Sequence, residues 1–360
     1  MPIGSVPNGV GKAMDDELSP ALAAAADVLR RASAVTVLCH ENPDADTLGG
    51  GLALALALDQ LGIDAEVVCA TRWPSTLDFL PHVSDVRAEP HLDAGAIVLV
   101  DCASIDRAGT ELARWIRESG RPIVNVDHHA SNDGYGSVAC IDRSAAATSE
   151  IVARLVISEL ACPPDADVAT LLLAGILHDT DGLRVPETSA ATLRRAADLV
   201  EAGAQIAAIS RELFARRPLA ALRLWGRVVS DLEAVADGRI VIGRLTSEML
   251  AASGAMLLDA EDLPELIATA QGAEISLLLR QVGPQETRVS IRTSGTVDAA
   301  GLAVEFGGGG HERAGGCTIA AGLVAARERL LGACQRHLAA IDSDPARVAS
   351  NTPETGGILV

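Results

Sequence analysis

Short β-branched runs alternate with Ala- and Leu-rich segments through the first half of the chain, the pattern of a parallel sheet covered by helices. Residues 35–40, 65–70, 96–101 and 123–126 read as buried strands, and 53–61, 149–160 and 168–178 as helices. The texture changes after Pro186. Residues 189–235 carry helical periodicity with arginine-rich faces, which suits a connector between two lobes. Strands return at 239–245, 275–282 and 289–292, the last two joined as a hairpin across Gly283 and Pro284. A glycine run at 307–310 follows, and a helix over 325–338 closes the pattern. The expected fold is α/β in two lobes: an N-terminal parallel-sheet domain at 19–188, a helical connector at 189–235, and a smaller C-terminal α/β domain at 236–342. The Ser-, Pro- and Gly-rich ends, 1–18 and 343–360, are expected to be disordered.

Composition narrows the function classes. The chain has 360 residues with 49% hydrophobic and 21% charged side chains, which describes globular domains. A net charge of −19 argues against a broad basic track for long nucleic acid, and 2% aromatics argues against a row of base-stacking platforms. An anionic substrate would have to be drawn in locally, by metals and a few arginines, which favours small substrates. Only Lys12 is lysine, so neither a phosphate-binding P-loop nor a catalytic lysine is expected. The seven cysteines form no C-x-x-C pair and read as small core residues in a reducing compartment. No apolar segment is long enough to span a bilayer. The expected location is the cytoplasm, without a membrane.

Polar clusters close three of the strands. The first ends in His40-Glu41-Asn42-Pro43-Asp44-Ala45-Asp46, the third in Asp101, and the fourth in Asp127-His128-His129. In an open α/β sheet ligands sit beyond the carboxyl ends of the strands, so these clusters should converge on one crevice. A fourth cluster, His178-Asp179-Thr180-Asp181, ends an otherwise apolar helix. Read singly, each piece has a bland explanation: Asn-Pro-Asp starts turns, and Asp101 could cap a helix. Read together, Asp44, Asp46, Asp101 and Asp179 cannot share a crevice without strong repulsion unless cations offset them. Two divalent cations would do so, and imidazole plus carboxylate ligands suit manganese, iron or zinc. His82, His91 and His337 lack such context and read as surface or structural residues.

The second lobe carries Phe306, four glycines and then His311, Glu312 and Arg313. Consecutive glycines let the backbone approach a ligand closely, and His311 and Arg313 could donate to a phosphate. Arg292 could face the same cleft. A mobile loop with incidental polar residues is the bland alternative.

These residues resemble the DHH phosphoesterases with a DHH-associated C-terminal domain, in the expected order over roughly residues 20–340. Within that family the chain looks most like the group of bifunctional oligoribonucleases and 3′-phosphoadenosine 5′-phosphate phosphatases, some members of which hydrolyse cyclic di-AMP. The resemblance implies two manganese-type cations. His40, Asp44 and Asp101 would hold one; Asp46, Asp101, His128 and Asp179 would hold the other, with Asp101 bridging. Asp179 is preferred over Asp181 because the family places its Asp directly before Thr. The resemblance further implies that Asp127 orients His128 and that His129 touches the scissile phosphate. Arg292, His311, Arg313 and the glycines Gly308, Gly309 and Gly310 would hold a nucleotide phosphate from across the cleft. A bridging hydroxide would then attack phosphorus, the connector would set cleft closure, and the chain would be a homodimer.

Other readings stay open at this stage. An inorganic pyrophosphatase of the same superfamily relies on a Ser-Arg-Lys signature, and no lysine follows position 12. A processive single-strand exonuclease fits poorly with the acidic balance. A sensor that binds nucleotides without cleaving them would tolerate loss of ligands, whereas this chain keeps each expected acidic and histidine position.

Overall fold

A computed structural model of the chain describes residues 10–343, with side chains from residue 18. The ends expected to be disordered lie largely outside the described residues, although the first helix, α1 (Val10–Arg31), begins within the N-terminal one. The chain divides into two compact units, Met1–Arg216 and Arg217–Val360.

The first unit is built on β1 (Ala34–Cys39), β2 (Asp64–Val68), β3 (Ala96–Val100), β4 (Ile123–Asp127) and β5 (Val138–Ile141). They form one parallel sheet in the order β2-β1-β3-β4-β5. β1 and β3 are buried along their whole length, as near-continuous apolar runs should be between two helical layers. The helices are α1, α2 (Ala45–Gln60), α3 (Thr110–Ser119), α4 (Thr148–Arg154), α5 (Ala166–Asp179), α6 (Ala190–Glu201) and α7 (Ile206–Ser210).

The four strands read from the sequence match β1 to β4 within about two residues, a normal uncertainty for element ends, and β5 was not among them. The helix expected at 53–61 is longer. It starts at Ala45 because Asp44 caps it, accepting from the N–H groups of Asp46 and Thr47 at 3.0 Å. Three glycines, Gly49 to Gly51, hid this first turn, yet close packing explains the first of them. A Cβ on Gly49 would lie 2.4 Å from the carbonyl oxygen of Leu171 on α5.

The expected connector at 189–235 is divided between the units. α6 and α7 belong to the first, whose core includes Leu199 and Ile209. α8 (Leu219–Ser230) belongs to the second and packs Leu224 and Val228 into a cluster with Leu263 and Ile267. Burial of these apolar stripes, not a linker-like surface, fixes their membership.

The second unit is also α/β. Its strands are β6 (Glu233–Val235), β7 (Ile240–Leu245), β8 (Ile275–Gly283), β9 (Glu286–Thr293), β10 (Gly309–Gly310) and β11 (Ala314–Ile319). They form a mixed sheet in the order β10-β11-β9-β8-β7-β6, in which only β7 and β8 run parallel. The hairpin expected across Gly283 is present as β8 and β9. Alternation along β9 sends Val289 and Ile291 into a core with α11 (Ala299–Val304) and α12 (Leu323–Asp342), leaving Arg288, Ser290 and Arg292 on the other face. α9 (Ser247–Ser253) and α10 (Leu263–Ala268) complete the unit. The glycine run is not a free loop, because its last two residues are the edge strand β10.

Candidate metal centre

The carboxyl ends of the adjacent strands β1, β3 and β4 deliver His40, Asp101 and Asp127-His128-His129 to one place, and the end of α5 adds His178 and Asp179. Asp44 and Asp46 come from the cap and first turn of α2. The buried Asp101 turns out of its strand at φ 61, and Asn42 lies in the same left-handed region. Non-glycine residues rarely adopt this conformation, and such backbone strain collects at functional sites.

The cluster is tight. His40 Nε2 lies 3.5 Å from both Asp44 Oδ2 and Asp101 Oδ2. His128 Nε2 lies 3.3 Å from Asp179 Oδ2 and 3.7 Å from Asp101 Oδ1. Ligand atoms within 4.8 Å of one another make overlapping sets: His40, Asp44 and Asp101; Asp46, His128 and Asp179; Asp101, His128 and His129; Asp44, His178 and Asp179. Asp101 joins the first and third of these.

Two main-chain carbonyls fix the imidazole tautomers. His40 Nδ1 donates to the carbonyl of Glu41 at 3.0 Å, and His128 Nδ1 to that of Ala145 at 3.1 Å. Each ring therefore turns Nε2 toward carboxylate oxygens. A neutral ring would set a lone pair against lone pairs, so Nε2 must carry a proton or face a cation. Without a cation it carries the proton. Burial opposes charging, but the carboxylates outweigh it and push His40 and His128 up to about 10. His178 is pushed to about 9 in the same way, chiefly by Asp179 against its burial. Asp44 and Asp179 are held below the ordinary carboxylate range by these imidazoles despite their own burial. Asp46 goes the other way, because it is fully buried and faces Asp179 and Asp101. A donor set of tautomer-fixed Nε2 atoms and crowded carboxylates fits divalent cations well.

The surrounding polar groups hold the acids in place. The N–H groups of Thr148 and Ser149 at the start of α4 donate to Asp46 at 2.7 and 2.9 Å, and the Thr148 hydroxyl donates to Asp101 at 2.7 Å. Gly175 lets α5 pass directly beneath, since a Cβ there would meet Ser149 Oγ at 2.1 Å and Asp46 Oδ1 at 2.6 Å. Asp127 is fully buried and accepts from Asn132 at 2.6 Å. Its Oδ1 holds Nδ1 of His129 at 2.7 Å and the main-chain N–H of His128 at 2.8 Å. Asp127 thus holds the main chain of His128 and the ring of His129, while the Ala145 carbonyl fixes the ring of His128.

All six expected metal ligands, His40, Asp44, Asp46, Asp101, His128 and Asp179, meet in this cluster. Asp181 instead pairs with Arg184 at 2.7 Å and stays outside it. Thr148, Ser149, Asn132 and Gly175 escaped the sequence reading, and His178 was read only as part of the cluster that ends its helix, without a role of its own. His82 and His337 bind surface carboxylates, Asp85 and Glu305.

The remaining candidates lie in the second unit. Arg292 is paired with Glu265 of α10, its Nε at 2.8 Å. His311 and Arg313 are exposed in the turn between β10 and β11, and the Arg313 guanidinium lies against Gly295. Gly308 is packed tightly, with Gly316 O only 2.1 Å from where a Cβ would stand. Gly310 has φ 150, and Gly309 faces open space.

Comparison with known proteins gives a consistent picture. Residues 34–176 match the DHH family, N-terminal domain. The chain is 33% identical to the bifunctional oligoribonuclease and PAP phosphatase NrnA of Thermus thermophilus, over 84% of this chain and 90% of that one. It is 26% identical to the protein of the same name in Bacillus subtilis, over 78% of this chain and 87% of that one. Its fold matches the crystal structure of an exopolyphosphatase-related protein from Bacteroides fragilis with a TM-score of 0.82, at 21% identity, over 94% of this chain and 100% of that one.

Proposed function

The chain belongs to the DHH family, and from that premise we propose that it is a two-cation phosphodiesterase and phosphatase of short oligoribonucleotides and 3′-phosphoadenosine 5′-phosphate. Linear di-adenylate and cyclic di-AMP belong to the same substrate range. The observation that carries this reading is the pair of tautomer-fixed imidazoles, His40 and His128, aimed at a crowd of buried carboxylates.

His40, Asp44 and Asp101 would hold one cation, and Asp46, Asp101, His128 and Asp179 the other, with Asp101 shared. His178 stands near enough to Asp44 and Asp179 to steady both. Imidazole and carboxylate donors suit manganese. Bound there, such cations supply a nucleophilic water at neutral pH and offset charge on phosphoryl oxygens. The protein's own groups do the rest. Asp127 keeps a proton on Nδ1 of His129 and raises the basicity of that ring. In the protonated ring, which Asp127 favours, Nε2 of His129, on a side chain 38% exposed, can donate to a phosphate oxygen or pass its proton to the departing 3′-oxygen. Arg292, His311, Arg313 and the backbone of Gly308, Gly309 and Gly310 are proposed to hold a substrate phosphate, with Arg292 exchanging Glu265 for it. Among the described residues no helix is long and apolar enough to cross a membrane, and all seven cysteines are free and buried. The free, buried thiols support a cytoplasmic place. Exposed Leu193 and Val200 on α6 support a homodimer.

The test is hydrolysis of 3′-phosphoadenosine 5′-phosphate, linear di-adenylate and cyclic di-AMP by chelated protein with manganese added back. Cleavage restored by manganese, and lost in Asp101→Asn, supports the reading, and the rate order ranks the substrates. Tight binding of one nucleotide without any cleavage would favour a sensor instead.

A further inference from the structure

Across the second sheet, Arg280 of β8 stands directly opposite Arg288 of β9. Directly paired residues point to the same face, and like charges so placed repel. Arg239, Arg244, Arg292, Arg327 and Arg336 of the same unit each meet a carboxylate, and this facing pair does not. Among the described residues neither guanidinium, of Arg280 or of Arg288, makes a hydrogen bond or an ion pair, although both main chains belong to the sheet ladder. Glu261 is near enough to influence both electrostatically, and it is exposed. Burial, and then the charge of Arg288, hold Arg280 below the ordinary arginine range.

Arg288 also lines a cavity of about 380 Å³ with Gly307, Gly308, Gly309, Gly316 and Thr318. Thr318 is the partner of Arg288 on β11, so its hydroxyl shares the face. Gly309 has open space where a side chain would stand, which leaves bare backbone for a ligand to approach. In a chain of net charge −19, paired arginines beside a hollow walled largely by glycine backbone form a local attractor for an anion.

We propose that Arg280 and Arg288, with Thr318, form a subsite for a second backbone phosphodiester of an oligonucleotide, adjoining across the shared backbone of Gly308 and Gly309 the phosphate assigned to Arg292 and His311. This rests on the proposed activity and deepens it: the preferred substrates are linear chains of three or more nucleotides, and mononucleotides leave the subsite empty.

The experiment measures binding of labelled adenylate chains of one to four nucleotides to the full-length protein in chelator, where no hydrolysis occurs. Arg280→Ala and Arg288→Ala should each weaken tetra-adenylate by about tenfold and leave mono-adenylate within about twofold. Each should also lower the salt dependence by about 0.7 in slope. Arg288→Lys should restore most of the loss, and Glu261→Gln, which removes a competing anion, should tighten binding. Unchanged tetra-adenylate affinity in both alanine variants would overturn the proposal. So would an equal loss on every chain length, which would mean a terminal phosphate or a structural role. Because binding is read without cations, a protein that binds by length but cleaves nothing would refute the proposed activity alone.

Discussion

If His40 and His128 hold cations as proposed, protons compete with those cations for the same nitrogen atoms in the first unit. His40 and His128 are pushed up to about 10 and His178 to about 9 when no cation is bound. A histidine raised this far stabilises the fold fully below its ordinary value near 6.5, and that contribution fades as pH climbs toward the raised value. The chelated protein should therefore lose melting temperature between pH 7 and 9.5. A divalent cation must displace those protons, so its own stabilising effect should grow with pH over the same window. Thermal melts at pH 6, 7.5 and 9 with manganese or with chelator would read both trends. A manganese-induced shift that is flat with pH would show that the imidazoles are not ligands.

At the scale of elements, the sequence revealed what strands end in and hid what helices pass beneath. His40, Asp101 and Asp127 were legible because each interrupts an apolar run where a parallel strand must stop. Thr148 and Ser149 were not, since their partners Asp46 and Asp101 lie a hundred and about fifty positions away and only the fold joins them. The edge strand β10 was illegible for a similar reason: glycine lacks β propensity, and its pairing with β11 is tertiary. Gly175 shows how the α2 and α5 pairing serves the site. In Gly175→Ala the new methyl would strike Asp46 and Ser149, so the variant should lose about 1–3 kcal/mol of stability and bind manganese more weakly. Gly226→Ala is the matched control. It sits inside α8 with open space around it, and should gain about 0.5–1 kcal/mol. Chemical denaturation and metal titration of both variants would check this; a harmless Gly175→Ala would mean that α5 can move away from the centre.

For the whole molecule, charge decides between a short substrate and a polymer. With a net charge of −19, each added nucleotide beyond the local arginines meets a repelling field instead of a basic track. On the proposed reading, attraction would come from the cations and from few groups: Arg280 and Arg288 on one part of the second sheet, Arg292, His311 and Arg313 on another. Single-stranded binding weakens with salt by about 0.7 in log–log slope for each phosphate neutralised. Two or three engaged phosphates give a slope of roughly −1.5 to −2, and lengthening the chain should not steepen it. Affinities of a tetramer and a forty-residue RNA, measured in chelator from 50 to 300 mM salt, should share that shallow slope and agree per end within a few-fold. A slope that grows with RNA length would reveal a continuous binding track, and the chain would then have to be read as a nuclease of long strands.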